Sequence, residues 1–146
     1  MIAIGSDHAG FQLKSRVADL LREGGHAAED LGTGDTSSVD YPDFAHRVAA
    51  AVAGGQAERG ILICGTGIGM SMAANRHPGV RAALCHDAYT AEMARRHNDA
   101  NLLCLGARVL GDGVAEQVLQ VFLETPFEGG RHQRRVDLIE RPQEES

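Results

Sequence analysis

Apolar residues along this chain follow two alternating rhythms. Short uninterrupted runs, such as Ile2-Ala3-Ile4, Ile61-Leu62-Ile63 and Leu102–Leu105, have the pattern of strands buried on both faces. Between them the apolar residues recur every three or four positions. Leu13, Val17, Leu20 and Leu21 predict a helix over Phe11–Glu23, stopped by Gly24-Gly25. Phe44, Val48 and Val52 predict another over Phe44–Ala53, stopped by Gly54-Gly55. The remaining strands are expected at Ile2–Gly5, His26–Leu31 (more polar), Ile61–Cys64, Val80–Cys85 and Leu102–Leu105. Helices should follow Gly67, ending before Pro78, and span Ala88–His97 and Val114–Glu124, the last with Val114, Val118, Val121 and Phe122 inward. A short final helix should start near His132, and the chain from Arg141 to Ser146 has the composition of a polar, frayed end. Five short strands alternating with helices imply an α/β protein with a parallel sheet covered on both faces.

In such sheets ligands bind at the carboxyl ends of the strands, where the strand order switches. That rule collects Asp7 and His8 after the first strand, Cys64 to Gly69 after the third, His86-Asp87 after the fourth and Arg108 after the fifth. The segment Gly60–Ser71, GILICGTGIGMS, carries the sharpest signal. It delivers a cysteine at a strand end, then a glycine-spaced turn, then a helix start. Backbone N–H groups at a helix start attract anions and favour the thiolate form of a neighbouring cysteine. The third glycine is misplaced for a dinucleotide fingerprint, and no phosphate-binding G-x-x-x-x-G-K-[ST] is present. Cys85 and Cys104 read as small buried hydrophobes. Asp7 has the alternative of capping the first helix, and His97-Asn98-Asp99 that of an ordinary helix end.

Composition narrows the class. The 146 residues suit one domain with a real core, 43% of them hydrophobic and 23% charged. A formal charge of −6 disfavours nucleic acid or an anionic membrane as the main partner. No apolar run approaches a membrane span, and the N-terminus lacks the basic region of a signal peptide. Three cysteines without paired spacing suit reduced thiols and a cytoplasmic setting. Seven histidines raise the question of metal, but no metal-ligand spacing accompanies them, so neither metal nor cofactor is expected. One basic cluster, Arg131–Arg135, stands out in this acidic chain. Arg131 and Arg135 lie four apart on one helix face and suit phosphate capture, whereas Arg134 points elsewhere; a solvated charged face is the competing reading.

Taken together, six motifs resemble the type B ribose-5-phosphate isomerases and the allose-6-phosphate and galactose-6-phosphate isomerases grouped with them. They are GSDHAGF (Gly5–Phe11), DYPDFA (Asp40–Ala45), GILICGTGIGMS (Gly60–Ser71), RHND (Arg96–Asp99), LGARVLG (Leu105–Gly111) and EGGRHQRRV (Glu128–Val136). The resemblance runs from Ile4 to about Val136. It implies a three-layer α/β/α, Rossmann-like sandwich with a five-stranded parallel sheet. It also implies a homodimer or dimer of dimers with active sites shared between subunits, a cytoplasmic place in the pentose phosphate pathway, and no cofactor. By the same resemblance Cys64 is the base, while Thr66 and the amides of Gly65, Gly67, Ile68 and Gly69 bind the enediolate oxygen. His97 assists opening of the furanose ring and Asp7 handles hydroxyl protons. Tyr41 and Asn98 line the sugar, and His8, Arg108, Arg131 and Arg135 hold the phosphate. Some relatives carry a glutamate base at the position of Met70; methionine cannot serve, which puts this chain with the cysteine type. Ribose 5-phosphate is the expected substrate, with allose 6-phosphate or a four-carbon keto-phosphate as alternatives. A thiol-dependent transferase and a non-catalytic sugar-phosphate sensor on the same fold are the readings from other classes.

Overall fold

The computed structural model describes residues 1–141, so all but the first residue of the expected polar end lies outside the described residues. Five strands, β1 (Ile2–Ser6), β2 (Ala28–Asp30), β3 (Arg59–Cys64), β4 (Ala82–Leu84) and β5 (Leu102–Gly106), form one parallel sheet in the order β2-β1-β3-β5-β4. Six helices complete the domain: α1 (Phe11–Glu23), α2 (Tyr41–Ala53), α3 (Ile68–Ala74), α4 (Ala88–Arg96), α5 (Asp112–Glu124) and α6 (Arg131–Ile139).

Alternation along the central strands builds the three layers. Ile61 and Ile63 of β3 enter one apolar cluster with Ile2, Ile4, Leu103 and Leu105, covered by α1, α4 and α5. Leu62 and Cys64 enter the opposite cluster with Ala3, Leu102 and Cys104, covered by α2 and α3. Successive side chains on a strand point to opposite faces, so a strand buried on both sides must be apolar throughout. The two edge strands are short and more exposed, as the polar composition of β2 required.

The structure departs from the sequence reading at a few points. Helix α2 begins at Tyr41 rather than Phe44, because Pro42 supplies a preset φ in the first turn, where its missing N–H costs nothing. β4 keeps only Ala82–Leu84 of Val80–Cys85, and α5 starts at Asp112. Val114 does not point inward: it is 42% exposed, while Val118 and Phe122 are buried and Val121 packs partly against the core. The stripe that faces the sheet is Ala115, Val118, Leu119 and Phe122, one position round from the expected one. The segment 131–135 opens α6, with His132 and Val136 buried and the arginines on the exposed side.

Candidate active site

From β1 the chain passes to β2 on one side, yet β3 joins β1 on the other, so the strand order switches between β1 and β3. Ser6 and Ile63 are register partners at the carboxyl ends of these two strands. Asp7 and His8 therefore emerge beside Cys64 as the sheet edge rule requires.

Cys64 is 6% exposed, and its Sγ accepts the Gly67 N–H at 3.1 Å. Gly67 makes this possible with φ +80°, a conformation that carries almost no penalty only in glycine, and it serves as the N-cap residue of α3. Thr66 is exposed; its Oγ1 accepts the Ile68 N–H at 3.2 Å. The turn is thus tied down by its own amides, the Gly67 N–H on the thiol and the Ile68 N–H on Thr66. The ring of Tyr41, at the start of α2, packs directly against Gly69; any β-carbon at Gly69 would overlap that ring. Arg108 donates its backbone N–H to the Gly65 carbonyl at 2.9 Å and runs its side chain alongside Gly65.

Asp7 is 7% exposed and accepts the Gly10 N–H through Oδ1 at 3.1 Å, so it closes the turn that leads into α1 and does not cap the helix itself. His8 Nδ1 accepts the Val39 N–H at 3.2 Å, which pins the loop leading to Tyr41 against the same edge. Asp7, His8, Tyr41, Cys64, Gly65, Thr66, Gly67, Ile68, Gly69 and Arg108 are thereby brought to one rim of one chain. Of the other two cysteines, burial pushes the Cys85 thiol up to about 11 and raises Cys104 well above the usual thiol range. Both stay protonated at neutral pH and behave as hydrophobes. Asp87 turns out to be the N-cap of α4, where the Thr90 amide and hydroxyl hold its carboxyl below the usual range.

The other expected site residues lie at the opposite edge. Helix α4 returns antiparallel to the strands, so its C-cap His97 sits level with the strand beginnings. Asn101 accepts the Gly60 N–H at the start of β3, and Asn98 shares a cleft of about 340 Å³ with Arg81 and Ala82 at the start of β4. At about 3.3 Å per residue, the span of β3 from Gly60 to Cys64 alone separates the two edges by roughly 13 Å. Arg131 and Arg135 go with His97, because the His97 ring stacks on His132 of α6 with centroids 4.3 Å apart. One chain does not bring His97, Asn98, Arg131 and Arg135 to Cys64.

Three contacts escaped the sequence reading. His97, Glu128 and His132 present ligand atoms within 4.8 Å of one another. The two rings are within 15° of parallel. A metal bound by ring nitrogens must lie near both ring planes, which parallel stacked rings do not share; the trio is a stack braced by the Glu128 carboxylate 3.4 Å from His132 Nε2. Asp99 bridges Arg81 and Arg95. Lys14 is 1% exposed and reaches Asp30 and the Thr33 carbonyl. Its signal was present in the sequence: Lys14, Val17, Ala18 and Leu21 share one helical stripe, so the lysine stands in an apolar face.

The profile of the ribose/galactose isomerase family matches residues 2–139. Ribose-5-phosphate isomerase B of Escherichia coli is 48% identical over 138 residues, covering 94% of this chain and 93% of that protein. D-erythrulose-4-phosphate isomerase of Pectobacterium atrosepticum is 43% identical over 139 residues, covering 94% and 91%. The solved structure of Clostridium thermocellum ribose-5-phosphate isomerase B superposes with a TM-score of 0.97 at 50% identity, covering 99% of this chain and 97% of that one. Matched in sequence over nearly its whole length and in fold from end to end, the chain belongs to the ribose/galactose isomerase family.

Proposed function

We propose that the protein interconverts ribose 5-phosphate and ribulose 5-phosphate, with Cys64 as the base that moves the proton. The observation that carries this reading is the Gly67 N–H aimed at the Cys64 sulfur at the start of α3, with Asp7, His8 and Arg108 on the same rim. A thiolate held by an amide and a helix start removes the C2 proton of the open aldose. The electron pair forms the C1–C2 double bond, and the aldehyde oxygen becomes the enediolate oxygen. The amides from Gly65 to Gly69 and the Thr66 hydroxyl stabilise that charge as it develops. The same sulfur returns the proton to C1 while Asp7 shuttles the hydroxyl proton from O2 to O1, leaving the ketone at C2.

Two further steps need residues from the far edge. Ring opening takes the proton from the anomeric hydroxyl, breaks the bond between C1 and the ring oxygen, and gives the ring oxygen a proton; His97 assists this. Arg131 and Arg135 join His8 and Arg108 in holding the phosphate, remote from the reacting carbons, which converts binding energy into position. Since one chain holds these groups at opposite edges, the complete site needs a second copy, whose His97, Asn98, Arg131 and Arg135 meet the first copy's Cys64 rim. A homodimer with two such shared sites satisfies this.

The test uses two variants. Cys64→Ala should abolish turnover of ribose 5-phosphate while retaining binding of the sugar phosphate, because the phosphate contacts lie on other residues. His97→Asn should be strongly impaired. Mixing the two under conditions of subunit exchange should restore activity, since a mixed dimer has one site with both groups intact. Near-normal turnover by Cys64→Ala would overturn the base assignment, and mixtures that stay inactive despite exchange would overturn the shared site. The likeness to the erythrulose-4-phosphate enzyme favours a second reading, a four-carbon substrate; turnover of four-, five- and six-carbon sugar phosphates measured side by side decides between them.

A further inference from the structure

The turn between α4 and β5 is held in a way that a plain connection does not need. Asp99 has φ +47°, and every other positive-φ residue described is glycine. Aspartate tolerates this region better than most side chains, but the conformation persists only where its surroundings over-determine it. Here they do. Arg95, 5% exposed, donates from one guanidinium nitrogen to Asp99 Oδ1 at 3.0 Å and to the Ala100 carbonyl at 2.6 Å, and its Nε donates to the Thr125 carbonyl at 3.1 Å. From the other side Arg81 donates through Nε to the Asp99 carbonyl at 2.9 Å and approaches Oδ2 at 3.4 Å. A single carboxylate therefore joins Arg95 of α4 to Arg81, the residue before β4, across one turn. A glycine would make the same turn without burying a guanidinium.

What that turn presents is His97 and Asn98. The His97 ring is braced on one side by the stack with His132. The backbone that follows it closes on α4 through the Ala100 N–H and the Ala94 carbonyl at 3.0 Å, and between those ends Asn98 is exposed and lines the same cleft as Arg81. We infer that Asp99 is a positioning residue for ring opening, its carboxylate clamped between Arg81 and Arg95 so that His97 and Asn98 are presented in fixed register. The inference rests on the ring-opening role of His97 proposed above. It concerns one step only. Ribulose 5-phosphate is acyclic, since its remaining hydroxyls cannot close a five-membered ring on C2, so exchange of its C1 proton needs the Cys64 rim but no ring chemistry.

The experiment compares two readouts on the full chain: steady-state turnover of ribose 5-phosphate, and exchange of the C1 protons of ribulose 5-phosphate with deuterated water followed by NMR. Asp99→Gly removes the carboxylate while accepting the positive φ. It should lower kcat for ribose 5-phosphate by roughly ten- to a hundredfold, the scale of a small misplacement of a reacting group. KM should rise with the loosened sugar contact of Asn98, but the exchange rate at saturating ribulose 5-phosphate should stay within about twofold of the parent, as expected where only one chemical step is lost. Asp99→Asn, which keeps an acceptor and tolerates the conformation, should recover most of the turnover. His97→Asn should show the same split as Asp99→Gly. Equal loss of turnover and exchange in Asp99→Gly would mark it as a support of the fold and overturn the inference, as would unchanged kcat. If Asp99→Gly does not fold, Arg81→Met, which releases the other side of the clamp, is held to the same criterion. A His97→Asn variant with full turnover would sink the ring-opening reading instead, and the inference with it.

Discussion

Replacing Lys14 by methionine isolates the buried ammonium on α1. The substitution keeps the four-atom apolar stem and removes the ammonium with its charge and its donors. In the parent, Nζ lies 2.6 and 2.7 Å from the two Asp30 oxygens and 2.6 Å from the Thr33 carbonyl. Thr33 is 6% exposed, so its carbonyl would lose its lysine donor in a place with little access to water. An orphaned buried acceptor costs about 1–3 kcal/mol. Asp30 suffers less, because its side chain is 40% exposed and it keeps the Gly32 N–H at 2.9 Å. Its share falls well short of the roughly 3–5 kcal/mol for breaking a fully buried pair. Removing the desolvated ammonium offsets part of the loss, leaving a destabilisation of about 2–3 kcal/mol. For a domain of this size that lowers Tm by roughly 6–9 °C. Function should follow, because the same loop is stitched to the end of β1 by Ser6 and to His8 through Val39, so KM should rise as the rim loosens. Urea and thermal unfolding at one fixed protein concentration measure the first effect and steady-state kinetics the second. Adding Asp30→Asn to Lys14→Met should cost less than adding it to the parent. A stability change under about 0.5 kcal/mol would refute the reasoning, because exposed substitutions alone produce that much.

The phosphate assignment is checked by three arginine variants. Arg131→Ala and Arg135→Ala should each raise KM for ribose 5-phosphate roughly ten- to a hundredfold, the loss of one charge-assisted contact of about 1.5–3 kcal/mol, whereas Arg134→Ala should do much less; equal small effects would return the cluster to a solvated face. A separate expectation concerns acid. His77 has its basicity lowered by burial and by His46, whose Nδ1 lies 2.8 Å from His77 Nε2. The folded state then binds fewer protons at His77 than the unfolded chain does, so the contribution of His77 is present above the unfolded histidine value of about 6.5 and lost as pH falls below it. His77→Asn should flatten the fall in urea midpoint between about pH 7 and pH 5; parallel curves for parent and variant would show that His77 does not couple to folding.

The sequence alone determined the parts of this protein that depend on neighbours along the chain. Uninterrupted runs such as Ile61-Leu62-Ile63 specify strands buried on both faces, and helical stripes such as Leu13, Val17 and Leu21 specify the covering layers, because periods of two and 3.6 leave different marks in the order of residues. Cys64 with its glycine turn was legible for the same reason: a strand end, a turn glycine and a helix start lie within the five residues Cys64–Ile68. Edges blurred where local preference and packing disagree, as at Val114, which carries the right spacing but faces solvent. Tertiary structure decided what lies between distant segments. Only the strand order places Asp7 beside Cys64, only the antiparallel return of α4 carries His97 to the far edge, and only the packed turn joins Asp99 to Arg81 and Arg95. Those relations are pairings across 4 to 57 positions, fixed by directional hydrogen bonds and charges that the hydrophobic rhythm does not encode.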